Sequence, residues 1–168
     1  QKPLRIGLIG YGKMGKAIEA AAKERGHTIS TIIDPNLNND QICDKALSET
    51  DICIDFSRPE AVLDNIRKVA QCGKAIVVGT TGWDDRLGEV ETIVAENRIA
   101  LLHAANFSIG VNLFYQIAAE AARLIDHFDE YDASVHEIHH TQKLDAPSGT
   151  ALAIGRLLMR EMNRKTHL

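Results

Sequence analysis

A short run near the C-terminal end of the chain concentrates side chains that donate protons and bind anions. The run reads His139-His140-Thr141-Gln142-Lys143-Leu144-Asp145-Ala146-Pro147-Ser148-Gly149-Thr150. Lys143 can donate a proton or pair with a carboxylate, and the imidazoles of His139 and His140 can donate from adjacent positions. A helix is predicted to begin at the end of the run, where the free backbone N–H groups of Gly149 and Thr150 would bind a second carboxylate. The run therefore predicts a pocket for a small dicarboxylate.

A metal site is the chemical alternative for these histidines. The run follows a predicted strand, on which residues an odd number apart point to opposite faces, so His136 and His139 would diverge. Without nearby cysteines to complete a zinc set, no metal is predicted. If the run is taken alone, a solvated loop in which Asp145 or Ser148 caps the helix remains a plain structural interpretation.

A second candidate site lies near the N-terminus, in the glycine-rich loop Gly10-Tyr11-Gly12-Lys13-Met14-Gly15. It follows an apolar strand and opens a helix. Glycines allow a tight turn there and let the backbone approach a pyrophosphate, whose charge then lies at the helix N-terminus. Asp34 ends the next predicted strand, where a carboxylate binds ribose hydroxyls. The spacing predicts a dinucleotide site, with an ordinary strand-to-helix turn as the structural alternative.

Asp34 also bears on which dinucleotide binds. A carboxylate repels the 2′-phosphate of NADP, so NADH is the preferred cofactor and NADPH the alternative. Pro35 follows Asp34 where an arginine would clamp that phosphate, although Lys13 can partly compensate.

Two further segments are predicted at the same edge of the sheet. Gly79-Thr80-Thr81-Gly82 follows the fourth predicted strand, and its small residues and hydroxyls suit a loop that passes close to a nicotinamide ribose. Ala104-Ala105-Asn106-Phe107 follows the fifth, where Asn106 could hold the carboxamide. Each segment taken alone is equally typical of a β-to-α turn.

Apolar runs alternate with amphipathic segments along the first two thirds of the chain. Strands are predicted at Leu4–Ile9, Thr28–Ile33, Ile52–Asp55, Ala75–Val78 and Ile99–Leu102, with helices at Lys13–Arg25, Pro59–Cys72 and Asp84–Glu96. This alternation predicts an α/β fold of the Rossmann type, a doubly wound parallel sheet. The polar stretch between Pro35 and Thr50 is predicted to be a surface loop or a place where residues are missing.

The pattern changes after Phe107. A helix at Val111–Asp126, a strand at Tyr131–His139 and a helix from Thr150 predict part of an α+β domain for substrate binding and oligomerisation. The expected organisation is therefore a dinucleotide-binding domain at 1–107 and a partial second domain at 108–168. Because a single strand cannot form a stable sheet, further strands are expected beyond Leu168 or from partner subunits.

Composition excludes several classes of function. The chain is 45% hydrophobic and 25% charged with a net charge of −4, and it has no apolar run long enough to span a membrane. Its basic residues recur at helical spacing near the C-terminus, which is typical of a solvated helix face and not of a nucleic-acid surface. Cys43, Cys53 and Cys72 are predicted to be reduced thiols of a cytoplasmic protein.

Together these motifs resemble one family, the 4-hydroxy-tetrahydrodipicolinate (dihydrodipicolinate) reductases of bacterial lysine and diaminopimelate synthesis. The resemblance covers essentially the whole chain, and its most specific part is the run from Lys143 to Ala151. The other segments that carry it are Gly10–Gly15, Gly79-Thr80-Thr81-Gly82, Ala104-Ala105-Asn106-Phe107-Ser108 and Glu137-Ile138-His139-His140. Lys13 stands where arginine is common in the family, and the glycine loop is one residue shorter than in many members; both departures bear on cofactor preference.

The resemblance implies roles for these residues. It places the nicotinamide cofactor at Gly10–Gly15, Asp34, Gly79–Thr81 and Ala104–Phe107. It makes His139 and Lys143 the proton-donor positions, and it places the substrate carboxylates at His140, Gly149 and Thr150. The implied reaction delivers hydride to C4 of a cyclic imine after loss of the 4-hydroxyl, in a cytoplasmic homotetramer. Another two-domain dehydrogenase and a nucleotide-sensing module without turnover are the alternatives.

Overall fold

The structure is a computed structural model that describes residues 2–37, 41–139, 141 and 147–167. Backbone contacts divide it into two compact units, Gln1–Ala105 and Asn106–Leu168. Among the described residues, none of the helices combines the length and apolar character that a membrane span requires.

The first unit is built on a five-stranded sheet in the order β2-β1-β3-β4-β5, and every neighbouring pair is parallel. Its strands are β1 (Arg5–Ile9), β2 (Thr28–Ile33), β3 (Ile52–Asp55), β4 (Ala75–Val78) and β5 (Leu101–His103). The helices are α1 (Lys13–Glu24), α2 (Asp44–Leu47), α3 (Pro59–Gln71) and α4 (Leu87–Asn97). The predicted Rossmann-type parallel sheet is confirmed.

Both faces of this sheet are covered. Along β3, Cys53 belongs to the larger apolar cluster, whereas Ile52 and Ile54 pack against the smaller one. Because side chains alternate between the faces of a strand, the two clusters lie on opposite sides of the sheet. Helices α3 and α4 supply the larger cluster with Val62, Leu63, Ile66, Val69, Ala70, Val90 and Ile93, and α1 supplies the smaller one with Ala22 and Ile18.

The strand order sets where a ligand can bind. β1 lies between β2 and β3. The chain therefore passes from β1 to β2 on one side and then crosses back to β3 on the other side of β1. The carboxyl ends of β1 and β3 therefore border the point at which the winding reverses. Open α/β sheets bind ligands in the crevice that this reversal creates.

The second unit, in its described part, contains α5 (Ile109–Ile125) and α6 (Gly149–Glu161), which pack against each other. Ala119 and Ala122 on α5 and Gly155 on α6 are buried, and such small residues let two helix backbones approach closely. Each helix has a serine at its N-cap, Ser108 for α5 and Ser148 for α6, whose hydroxyl accepts a backbone N–H of the first turn.

The predicted strand at Tyr131–His139 is wrong, because these residues form no strand. The second unit has no strand among its described residues, and an isolated extended segment has no neighbour to satisfy its backbone groups.

Smaller differences concern the ends of elements. The helix predicted from Asp84 begins as a 3-10 turn, Asp84–Arg86, and α5 begins two residues earlier than expected. The stretch after β2, predicted to be a loop from its polar composition, contains a 3-10 turn at Pro35–Leu37 as well as α2.

Replacing Gly10 with alanine is expected to cost more stability than replacing Gly26. Both have positive φ, 85° and 78°, so both variants pay about 1 kcal/mol for a left-handed backbone. A Cβ on Gly10 would also lie 2.5 Å from the Phe56 carbonyl oxygen, whereas one on Gly26 meets nothing within 4 Å. Gly10→Ala should therefore lose about 1–3 kcal/mol more in urea unfolding. Equal losses would contradict the close approach at Gly10.

Candidate cofactor and substrate sites

The three glycines of the Gly10–Gly15 loop have different surroundings. The Gly10 N–H donates to the Ile33 carbonyl at 2.9 Å, which ties the loop to the end of β2. A Cβ on Gly15 would lie 2.4 Å from the Gly10 carbonyl oxygen, but a Cβ on Gly12 would meet nothing within 4 Å. Gly10 and Gly15 therefore fix the turn, and Gly12 leaves the backbone open to a ligand.

The loop delivers the chain directly into the first turn of α1. Gly12 is the N-cap and provides no side-chain cap, and the first turn contains no acidic residue. The leading N–H groups of α1 consequently have no partner inside the helix, and no carboxylate of that turn competes for them. This end of α1 has the properties of an anion site.

Asp34 holds the loop from the end of β2. Its side chain is 8% exposed and accepts the Tyr11 N–H at 2.6 Å and the Asn36 N–H at 2.8 Å. The hydrogen bond from Tyr11, assisted by the one from Asn36 and by the charge of Arg58, lowers the pKa of Asp34 below its ordinary value. The group is therefore a carboxylate at neutral pH, and its remaining lone pairs can accept hydroxyl donors.

A cavity of about 480 Å³ opens between the ends of β1, β2 and β3. It is lined by Ile9, Gly10, Tyr11, Gly12, Ile33, Asp34, Pro35, Asn36, Phe56, Ser57, Arg58, Glu60, Ala61 and Asn65. The structure thus brings together four of the predicted cofactor residues, Gly10, Tyr11, Gly12 and Asp34. We call this the β2-side cavity.

A neighbouring cavity of about 510 Å³ lies toward β4. It is lined by Gly12, Lys13, Met14, Phe56, Ser57, Pro59, Gly79, Thr80 and Thr81. We call this the β4-side cavity. Gly12, Phe56 and Ser57 line both cavities. The two cavities therefore flank the start of α1, an arrangement that suits a ligand with a central anionic group and a ring system at each end.

The Tyr11 side chain is hydrogen-bonded to α1. Its hydroxyl donates to the Glu19 carboxylate on α1, and this hydrogen bond is the main reason that the pKa of Tyr11 is raised. The Lys16 ammonium lies 5.8 Å from the centre of the ring. Tyr11 contributes to the site through its backbone N–H, which Asp34 holds.

The Gly79–Thr81 loop is fastened to the neighbouring strand. The Gly79 N–H donates to the Asp55 carbonyl at 2.9 Å, and a Cβ on Gly79 would lie 2.0 Å from the Phe56 ring. The Thr80 carbonyl accepts the indole N–H of Trp83 at 2.7 Å. Thr81 is exposed at the lip of the β4-side cavity.

The residues that follow β3 were not predicted from the sequence. Asp55, Phe56, Ser57 and Arg58 stand at the same edge as the predicted loops, and Phe56, Ser57 and Arg58 line the cavities. Asp55 is the fully buried last residue of β3, with 0% exposure. Their position directly after an apolar strand could have predicted these residues, since the segment after β4 was predicted from the same position.

The segment Ala104–Phe107 falls at the division between the two units. The Ala104 N–H donates to the Val78 carbonyl at 3.3 Å in the first unit. In the second unit, Asn106 builds the start of α5, because its side-chain oxygen accepts the Ser108 N–H at 2.8 Å and its carbonyl accepts the Asn112 amide at 3.0 Å. The cofactor role of these residues stays a prediction.

In the second unit, Glu137 links His139 to the start of α6. The His139 Nε2–H donates to Glu137 at 2.7 Å, and the other carboxylate oxygen accepts the Ser148 N–H at 2.8 Å. Hydrogen bonds from Ser148 and His139 lower the pKa of Glu137 to about 2. The His139 side chain remains 37% exposed, so it is open to a ligand.

Gly149 and Thr150 form the first turn of α6, as the predicted carboxylate site requires. The Ser148 hydroxyl accepts the Ala151 N–H at 3.0 Å, which leaves the Gly149 and Thr150 N–H groups without an intrahelical partner. The other predicted substrate and proton-donor residues, His140 and Lys143, lie outside the described residues. Roles for all of them stay predictions.

The strand geometry predicted for His136 and His139, which disfavoured a metal site, is wrong. It placed His136 and His139 on opposite faces of a strand, and that strand does not form. Independently of it, the described part of the chain contains no group of three or more His, Cys, Asp or Glu side chains placed to hold a metal ion.

Comparison with known protein families identifies the chain. The family described as "Dihydrodipicolinate reductase, N-terminus" matches residues 4–107, and "Dihydrodipicolinate reductase, C-terminus" matches residues 110–167. The chain belongs to the dihydrodipicolinate reductase family. The family predicted from the motifs is thereby confirmed.

Individual relatives agree with this family. A 4-hydroxy-tetrahydrodipicolinate reductase from Christiangramia forsetii is 38% identical over 96% of this chain and 66% of its own length. One from Aromatoleum aromaticum is 37% identical over 96% of this chain and 65% of its own length. The chain thus spans just under two thirds of these relatives. The solved structure of a dipicolinate-bound dihydrodipicolinate reductase from Paenisporosarcina sp. TG-14 shares the fold, with a TM-score of 0.77 and 24% identity over 99% of this chain and 69% of that one.

Glu137→Gln is expected to change how stability depends on pH. The folded pKa of Glu137, about 2, is below its ordinary value of 4.5, so its carboxylate stabilises the folded state above pH 4.5 and loses that effect as the pH falls toward 2. The difference in unfolding free energy between the wild type and Glu137→Gln should therefore be largest near neutral pH and shrink through this interval.

Unfolding midpoints measured across this pH range test the expectation. The exposed Glu130, changed to glutamine, serves as the control in the same unit. A difference that stays constant from neutral pH to pH 2 would contradict the depressed pKa of Glu137.

Proposed function

We propose that the protein is an NAD(P)H-dependent 4-hydroxy-tetrahydrodipicolinate reductase, an oxidoreductase of lysine and diaminopimelate synthesis. The observation that carries this proposal is the open N-terminus of α1 between two cavities, with the Asp34 carboxylate beside it, in a chain of this family. The bound nicotinamide cofactor would supply a hydride to C4 of the cyclic imine after loss of its 4-hydroxyl, to give tetrahydrodipicolinate.

The cofactor site is assigned from the geometry of the first unit. The N–H groups at the start of α1 bind the pyrophosphate, and the Asp34 carboxylate accepts ribose hydroxyls in the β2-side cavity. The β4-side cavity, with Gly79, Thr80 and Thr81 at its wall, receives the nicotinamide half. Ala104–Phe107 complete that half, as the family resemblance implies.

Asp34 and Arg58 act in opposite directions on cofactor choice. The charge of Asp34 disfavours a 2′-phosphate on the ribose, which favours NADH. Arg58 lines the same cavity and lies close enough to lower the pKa of Asp34, so a cation is available to offset that repulsion. NADH is therefore the preferred cofactor, with NADPH also accepted.

The second unit is assigned to the substrate. His139 and Lys143 supply the proton, while His140 and the N–H groups of Gly149 and Thr150 hold the two carboxylates. The relative from Paenisporosarcina is a dipicolinate-bound protein, which supports a small cyclic dicarboxylate as the ligand class. A homotetramer in the cytoplasm stays the expected state of the protein.

An absorbance assay tests the proposed reaction. Freshly made 4-hydroxy-tetrahydrodipicolinate should trigger oxidation of NADH, and the Michaelis constant for NADH should be lower than that for NADPH. Without this substrate, no oxidation is expected. Binding of NADH with no substrate-dependent oxidation would contradict the reductase, and a much lower Michaelis constant for NADPH would overturn the cofactor preference.

Lys143→Ala is expected to reduce turnover by about a hundredfold or more, because general acid catalysis contributes about 10²–10⁴ in rate. The dissociation constant for NADH should stay within about twofold of the wild type, since Lys143 belongs to the substrate site. Retained turnover in the variant would remove Lys143 from the mechanism.

A further inference from the structure

A buried carboxylate lies directly beneath the proposed cofactor site. The Asp55 side chain is 0% exposed, and its oxygens accept four hydrogen bonds from three residues. Ser57 donates its N–H at 2.8 Å and its hydroxyl at 2.7 Å, and Asn65 donates its amide at 2.8 Å. The Thr80 hydroxyl donates at 3.2 Å.

The sheet itself does not require a carboxylate at this position. Asp55 pairs with Val78 on β4, which is equally buried and apolar, and the interior around both strands is a hydrophobic cluster. Burying a charged group is costly unless donors surround it. The four donors offset that cost, and they come from the β3–α3 turn, α3 and the β4–α4 loop.

The donors also line the places that the cofactor is proposed to occupy. Ser57 lines both the β2-side and the β4-side cavities, and Thr80 lines the latter. Asp55 therefore joins the two walls through one side chain. Its own carbonyl accepts the Gly79 N–H, so side chain and backbone of the same residue hold the same loop.

The hydroxyl and the carbonyl of Thr80 are both hydrogen-bonded within the protein. Its hydroxyl donates to Asp55, and its carbonyl accepts the Trp83 indole at 2.7 Å. Thr81 is exposed on the same loop. Thr80 thus sets the shape of the loop, and Thr81 is the threonine that it presents to a ligand.

We propose that Asp55 is a positioning residue for the nicotinamide half of the cofactor and acts by holding Thr80 and Ser57. The proposal rests on the proposed function and assigns a cause to the affinity of its cofactor site. Loss of the Asp55–Thr80 contact removes one of the bonds that hold the Gly79–Thr81 loop and loosens it, while the α1 N-terminus and Asp34 stay in place. Binding of the nicotinamide half then weakens more than binding of the adenosine half.

The test compares NADH with ADP, which keeps the adenosine and the pyrophosphate but lacks the nicotinamide ring and its ribose. Trp83 is the only tryptophan of the chain and is hydrogen-bonded to the loop, so quenching of its fluorescence reports NADH binding. Calorimetry gives the dissociation constant of ADP. The variants are Thr80→Val, which removes the hydroxyl at nearly constant shape, Thr80→Ser, which restores it, and Asp55→Asn. Thr92→Val, an exposed position on α4, is the matched control.

Thr80→Val should weaken NADH binding by about tenfold and change ADP binding by less than twofold. Thr80→Ser should recover most of the loss, and Thr92→Val should match the wild type. Asp55→Asn, where it folds, should also weaken NADH binding more than ADP binding. If Thr80→Val folds and binds both ligands like the wild type, or loses both equally, the positioning role is wrong. Failure of the wild type to bind NADH would instead contradict the proposed function.

Discussion

The Asp34 carboxylate carries the interaction on which the proposed cofactor site depends. It accepts the Tyr11 N–H and the Asn36 N–H, so it joins the glycine loop to the end of β2. These hydrogen bonds lower the pKa of Asp34, so the carboxylate continues to hold the loop at neutral pH. With the loop held there, Gly12 faces open space and the start of α1 is left uncapped. The same carboxylate therefore both supports the loop and is proposed to bind the ligand.

The order of the strands brings further loops to the same region. Because β1 lies between β2 and β3, the loops after all three strands meet around the start of α1. Phe56 occupies the centre of this region, where its carbonyl limits Gly10 and its ring limits Gly79. One residue after β3 thus sets the spacing of the loops after β1 and β4, which explains why glycine stands at both contacts.

Local patterns predicted most of the first unit, because a buried parallel strand, a glycine turn and an amphipathic helix each leave a local signal. The buried hydrogen-bonding role of Asp55 was not predicted, because its partners Asn65 and Thr80 are distant in sequence. From the sequence, Asp55 is only the last residue of an apolar strand. The prediction of a strand at Tyr131–His139 was wrong for a different reason. The alternating pattern is local, but a strand forms only when a neighbouring strand pairs with it. The different surroundings of Gly10 and Gly12 also could not be predicted from the sequence, because they depend on three-dimensional contacts.

In the proposed function, the open backbone at Gly12 admits the cofactor pyrophosphate to the α1 N-terminus. The direct measurement is the NADH dissociation constant of Gly12→Ala beside its unfolding free energy. A methyl group there meets no protein atom within 4 Å, so stability should stay within about 1 kcal/mol of the wild type. NADH binding should weaken by about tenfold or more, because the methyl group occupies the path of the pyrophosphate. A stable variant that binds NADH as tightly as the wild type would show that the pyrophosphate does not bind at Gly12.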